Sequence, residues 1–188
     1  MRKDIVELLA DSPVIAAVRS EEQIEAAIRS SCKVVFLLFG DVCNVPDLVN
    51  QIQKHEKKVV VHVDLITGLG QKEAAIDYIC QTANADGIIS TRAHLVHRAS
   101  AQGRFSALRV FAIDSMVEGN IKRELGKAKP DVVEILPGII PKFITHLAGI
   151  VRLPIVAGGL IHDKTDVLTA LGAGAWAVST SREDLWEV

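Results

Sequence analysis

Short apolar runs punctuate the chain at a near-regular interval. They predict strands at residues 14–18, 34–39, 59–64, 87–91, 110–114, 132–136, 154–157 and 175–179. The stretches between them are amphipathic and predict helices at 21–30, 46–55, 71–81, 93–102, 116–128, 141–149 and 164–171, with a further short helix at 4–10. Successive strand starts lie about 20 to 29 residues apart, the length of a strand, a turn, a helix and a return loop. The strands are nearly continuous apolar runs rather than alternating ones. A sheet covered on both faces has that signature, and such sheets are parallel. Eight units of this kind predict a compact TIM-like (β/α)8 barrel with short helices, the 4–10 helix closing its N-terminal end. A doubly wound open sheet is the competing arrangement. No linker or low-complexity tract divides the chain, so residues 1–188 are expected to form a single domain.

In parallel α/β folds, ligands bind where the strands end. Polar residues collect at the predicted strand ends: Arg19; Gly40 and Asp41; His62 and Asp64; Ser90, Thr91 and Arg92; Asp114 and Ser115; Glu134 with Pro137 and Gly138; Gly158 and Gly159; and Ser179, Thr180 and Ser181. The strand starts carry Lys33, Lys57, Lys58 and Pro130, which read as ordinary surface. Ser20, Thr91 and Ser115 each precede a predicted helix and fit an N-cap.

The last two strand ends form a pair. Gly158 and Gly159 let backbone N–H groups come close to a ligand, and Ser179, Thr180 and Ser181 add hydroxyl donors. A short helix starting near Arg182 would point its positive end at the same place. Gly158, Gly159, Thr180 and Ser181 are therefore the expected phosphate-binding residues; a plain turn and a plain cap are the alternative. His62 and Asp64 lie two apart on a predicted strand and can share a face. With Asp114 and Glu134 they would form a mouth that binds hydroxyls, stabilises the barrel, holds Mg²⁺ or performs acid–base work. No lysine occupies a strand end; Lys142 follows the loop after the sixth strand, which disfavours a Schiff-base aldolase. His94 and His97 read as surface histidines rather than a zinc site, and no residue is assigned to a metal, Mg²⁺ at the mouth being left open.

Composition narrows the function classes. Apolar residues make up 49% of 188, enough for a large core, so disorder is excluded. A formal charge of −2 does not advertise nucleic-acid binding, and the scarce aromatics (4%) limit base stacking. No apolar stretch approaches the roughly 18 residues of a membrane span. Cys32, Cys43 and Cys80 lack any metal or disulfide spacing and read as reduced thiols of a cytoplasmic protein.

Taken jointly, several stretches resemble the glycerol-3-phosphate-responsive antiterminators. They are Ala17-Val18-Arg19, His62-Val63-Asp64-Leu65-Ile66, Gly87-Ile88-Ile89-Ser90-Thr91-Arg92, Phe111-Ala112-Ile113-Asp114-Ser115, the run Pro130 to Gly138 with Pro141-Lys142, Ala157-Gly158-Gly159-Leu160-Ile161, and Ala177-Val178-Ser179-Thr180-Ser181 closing on Leu185-Trp186. The resemblance implies a cytoplasmic, non-enzymatic regulator that senses glycerol 3-phosphate without a cofactor. It also implies binding to the leader mRNA of glycerol-utilisation operons, and leaves a homo-oligomer open. On that reading Gly158, Gly159, Thr180 and Ser181 hold the phosphate. His62, Asp64, Asp114 and Glu134 face the glycerol hydroxyls, and Arg19, Arg92 or Lys142 supplies positive charge. Arg98, Arg104, Arg109, Lys122, Arg123, Lys127 and Lys129 are the expected RNA-facing patch, or else a solvated helix face. The competing function is a barrel enzyme acting on a small phosphorylated substrate, with Asp64 or Glu134 as base or with Mg²⁺ on Asp64, Asp114 and Glu134.

Overall fold

The structure, a computed structural model, describes residues 2–113 and 116–187. Eight parallel strands close into a barrel in sequence order: β1 (Val14–Val18), β2 (Val34–Leu37), β3 (Lys58–His62), β4 (Gly87–Ser90), β5 (Phe105–Phe111), β6 (Val132–Leu136), β7 (Ile155–Gly158) and β8 (Ala177–Thr180). The seam is the pairing of β1 with β8, Ile15 beside Ser179. Around it run α1 (Arg2–Asp11), α2 (Ile24–Arg29), α3 (Val45–Gln53), α4 (Glu73–Asp77, continued by a π-helical turn at Tyr78–Thr82), α5 (Ala93–Ala101), α6 (Val117–Ala128), α7 (Pro141–Ile150) and α8 (Lys164–Gly172). No helix among the described residues is long and apolar enough to cross a membrane.

The continuous apolar runs have a direct cause. Side chains alternate across each strand, and both faces are dry. Ile15, Phe36, Val60, Ile89, Phe105 and Val156 fill the barrel interior. Val14, Ala16, Val35, Val59, Ile88 and Val178 face the helices. The helices answer with apolar stripes; α3 buries Val45, Leu48, Val49 and Ile52, spaced for one helical face. Helix α1 buries Ile5 and Leu9 among the interior residues, which plugs the N-terminal end as expected. The interior is therefore solid below and can open only at the C-terminal ends of the strands.

Two expectations are corrected here. The fifth strand is Phe105–Phe111, not 110–114. Its inward residues are Phe105, Ala107 and Arg109; a charge inside the run disguised the strand. The lysines at the strand starts are not ordinary surface either. Lys57 is buried, and its ammonium donates to the carbonyls of Ser30 (2.6 Å) and Cys32 (2.7 Å). Lys58 pairs with buried Asp86 at 3.2 Å, and Asp86 also accepts from the Val59 amide.

Candidate functional site

The seam end of the barrel carries a cavity of about 580 Å³ above β5–β8 and β1. Its floor is built from three strands. Glu134 on β6 is fully buried. One of its oxygens accepts from Ser179 Oγ on β8 at 2.6 Å, and the other from Arg109 Nε on β5 at 2.5 Å. The first bond passes over β7, because Gly158 stands between the two partners. A Cβ there would lie 2.5 Å from Ser179 Oγ and 2.8 Å from Glu134 Oε1. Any side chain at 158 would break the bridge, so this glycine is required by a close approach. The Arg109 side chain is 10% exposed, so a charged pair sits nearly dry at the base of the cavity.

The walls come from the loops after β7, β8 and β1. Gly159 turns with φ +75°, and Leu160 follows at φ +60°, half exposed over the opening. The box at the start of α8 lies below: Asp163 Oδ1 accepts from the Asp166 amide, and Asp166 Oδ2 accepts from the His162 amide. Ser181 lines the cavity, and its carbonyl accepts from Gln23 Nε2 at 3.1 Å. Gln23 Oε1 in turn accepts from the Arg19 amide at 2.9 Å. Thr180 lies on the outward side of its strand, where its hydroxyl donates to the Ile161 carbonyl and accepts from the Arg182 amide. Buried Trp186 donates from Nε1 to the Thr180 carbonyl at 2.8 Å, while its own carbonyl accepts from Ser31 Oγ. The expected helix near Arg182 is a single 3₁₀ turn, Glu183–Leu185. One turn carries little dipole, and Arg182 itself forks onto Asp184 with two 3.0 Å bonds.

A second polar cluster lies across the mouth, around Asp64. Strand β3 ends at His62, and Asp64 sits in the following 3₁₀ turn, Val63–Leu65, so the two do not share a strand face as expected. Asp64 accepts from Ser90 Oγ, from the Thr91 amide (2.7 Å) and hydroxyl (3.0 Å), and from Arg92 Nη1 at 2.6 Å. Burial pushes its carboxyl up, but these bonds and nearby His62 outweigh that and hold its pKa below the ordinary value. Thr91 is thus a holder of Asp64 rather than a helix cap, and Ser20 makes no cap bond either. His62 is buried, and its Nδ1 has no hydrogen-bond partner among the described residues. Burial, followed by the Arg109 guanidinium, pushes its pKa down to about 4.

Of the residues singled out in the sequence, Arg19, Glu134, Gly159, Thr180 and Ser181 line the cavity. Gly158, His62, Asp64, Arg92 and Lys142 do not: the first underlies the floor, the next three belong to the neighbouring cluster, and Lys142 is exposed at the start of α7. Asp114 and Ser115 lie outside the described residues. Among the described residues no three His, Cys, Asp or Glu side chains gather as a metal set. Arg109 was misplaced in the sequence reading, because a strand starting at Val110 put it outside the barrel. The alternation of Phe105, Ala107 and Arg109 is the sequence signal that places it inside. The cavity thus presents Arg19, Arg109 and Arg182, with Arg109 matched by Glu134 and Arg182 by Asp184. The expected basic patch fares differently. Arg98 is tied to Asp77, Arg104 to the carbonyls of Ala85 and Cys80, Lys122 to Glu118, and Arg123 and Lys127 to Glu124.

A model of the glycerol-3-phosphate responsive antiterminators matches residues 14–186. The chain belongs to this family. Its fold matches the crystal structure of a glycerol uptake operon antiterminator regulatory protein from Listeria monocytogenes with a TM-score of 0.90, at 33% identity over 94% of this chain and 95% of that one. A glycerol uptake operon antiterminator-related protein from Thermotoga maritima matches with a TM-score of 0.82, at 31% identity over 93% and 98%. The uncharacterized protein YgcP of Escherichia coli is 37% identical over 97% of this chain and 95% of its own. Likeness to a deoxyribose phosphate aldolase from Aeropyrum pernix, at 17% identity and a TM-score of 0.68, concerns the fold alone. Membership in the antiterminator family places the chain among regulators.

Proposed function

We propose that this antiterminator-family chain is a cytoplasmic sensor of glycerol 3-phosphate that acts on leader mRNA. The observation that carries the reading is an unmatched cation in the seam cavity: Glu134 pairs with Arg109 and Asp184 with Arg182, while Arg19 makes no ion pair among the described residues. A dianion is favoured there, and a neutral polyol would gain nothing from the excess charge. The phosphate sits at the β7, β8 and β1 loops, against the Gly159 backbone, the Ser181 hydroxyl and the Arg19 guanidinium, which makes no ion pair among the described residues. The glycerol hydroxyls turn to the floor, where each Glu134 oxygen has a lone pair free beyond its single hydrogen bond.

Coupling to RNA requires that ligand and RNA prefer the same conformation, since only differential affinity links two sites. In the Arg98–Lys127 series, Arg98, Lys122, Arg123 and Lys127 would exchange carboxylate partners for RNA phosphates, and Arg104 would leave backbone carbonyls. Thermal denaturation with glycerol 3-phosphate, followed by recovery of the ligand, tests the sensor: stabilisation with the ligand unchanged supports it, and turnover overturns it in favour of the enzyme. A gel shift with a terminator-forming leader RNA tests the output; no binding at low salt, with or without ligand, overturns it. Ser181→Asp places a negative charge beside the phosphate and abolishes the thermal shift. Undiminished affinity in that variant would move the phosphate elsewhere.

A further inference from the structure

The barrel closes where its first and last strands meet, and the candidate anion loops flank that seam. Only short backbone pairing joins β1 to β8, ending at Ala16 beside Thr180. Beyond that point Arg19 and Ser181 leave on separate loops. The Gln23 side chain bridges them. Gln23, in the 3₁₀ turn Glu21–Gln23, accepts from the Arg19 amide at 2.9 Å through Oε1 and donates to the Ser181 carbonyl at 3.1 Å through Nε2. The second bond spans 158 positions of sequence. An amide is the group for this task, because it offers an acceptor and a donor on one rigid plane.

We infer that Gln23 is a positioning residue of the anion site. It fixes the Arg19 backbone relative to the Ser181 loop, so that cation and hydroxyl converge before any ligand arrives. This rests on the anion reading given above. The Ser181 loop is already held from its other side by the Trp186–Thr180 bond. Gln23 supplies the hold across the seam. A geometry fixed in advance spares the ligand the cost of ordering two loops, and affinity follows from that saving.

The test compares Gln23→Met, Gln23→Glu and wild type by calorimetric titration with glycerol 3-phosphate and with inorganic phosphate. Methionine keeps the length and packing and removes both bonds. Glutamate keeps the acceptor for Arg19 but, ionised, has no donor for Ser181. Gln23→Met is expected to bind both probes about tenfold more weakly, with its unliganded melting temperature close to wild type. The backbone amide resonance of Arg19 shifts in Gln23→Met and stays near its wild-type position in Gln23→Glu, which a packing role would not produce. Gln23→Glu is also expected to lose affinity. Binding by Gln23→Met within twofold of wild type overturns the assignment while leaving the anion site intact. If wild type binds neither probe, both readings fall together.

Discussion

Two carboxylates, one half-buried and one fully buried, stand at the C-terminal end of this barrel, each facing an arginine, and they are used in opposite ways. Asp64 is saturated: two hydroxyls, a backbone amide and Arg92 all donate to it. Its partners come from the β4 exit, so it clips the β3 exit to the β4 exit. Glu134 takes one bond per oxygen, from Ser179 and Arg109, and faces a cavity. From sequence the two are indistinguishable, each an acid at a strand end. Their difference lies in the number of donors that converge on them. A carboxylate with every lone pair engaged holds structure, and one with spare acceptor capacity can meet a ligand.

The largest expected effect breaks the Glu134 side. Glu134→Leu strands the Arg109 guanidinium in a nearly dry site, which costs about 3–5 kcal/mol. The double variant Arg109→Met, Glu134→Leu removes both charges and is expected to recover most of that loss. Urea denaturation of the three proteins checks it. A Glu134→Leu chain as stable as wild type would mean that the floor pair is wetter than its 10% and 0% exposures imply.

His62 stands between the two clusters and gives the next effect. Its pKa falls from 6.5 unfolded to about 4 folded, chiefly because burial opposes the charged ring. Below pH 6.5 the unfolded chain takes up a proton that the folded chain refuses. Stability therefore drops as pH falls from about 6.5 to about 4, by about 3 kcal/mol in all. Asp64 acts in a lower window: its depressed folded pKa stabilises above the unfolded value of 3.8 and is lost as pH falls through the folded value. His62→Leu is expected to flatten the upper window and to weaken the lower one, since His62 helps hold the Asp64 pKa down. Denaturation series at pH 7.5, 5.5, 4 and below 3.8 separate them; a slope between 6.5 and 4 unchanged in His62→Leu would show that His62 is not the group responsible.

Much of the barrel was legible because its physics is local and repetitive. Strands β1 and β6 were bounded to the residue, since a strand dry on both faces leaves an unbroken apolar run. The same rule hid β5, where Arg109 points inward and is neutralised by a glutamate 25 positions away. A buried charge is intelligible only with its partner. The floor of the site suffered equally: Gly158 reads as a phosphate glycine, yet its space is taken by the Glu134–Ser179 bond that crosses it. Lys57 looked exposed because nothing in the sequence announces two carbonyls converging on it. Polar residues at strand ends located the mouth. Which of them face the cavity depended on long-range hydrogen bonds that no spacing encodes.

On the Asp64 side a smaller effect is expected. Asp64→Asn keeps the shape and one acceptor oxygen but loses the ion pair with Arg92 and turns an amide donor toward donors. A loss of about 1–3 kcal/mol follows, with affinity for glycerol 3-phosphate changed by less than about threefold, since the clip lies beside the cavity rather than in it. Stability and titration calorimetry on one sample check both halves. An affinity loss approaching that of Ser181→Asp would erase the distinction between the two carboxylates.

The smallest effect concerns Leu160. Four described residues other than glycine have positive φ: Glu56, Asn84, Lys129 and Leu160. The first three precede strands β3, β4 and β6, and Lys129 ends helix α6, where a left-handed residue is the usual way to stop. Leu160 alone follows a strand, and it does so on the cavity wall with 56% of its surface exposed. A leucine there costs about 1 kcal/mol against glycine and recovers little by burial. Leu160→Gly should therefore leave stability equal to wild type or raise it by up to about 1 kcal/mol. If affinity for glycerol 3-phosphate falls in the same variant, the strain is kept for the contact that leucine makes over the ligand. If stability rises and affinity is untouched, the β7 exit is only a turn, and the cavity's specificity resides in its floor and its arginines.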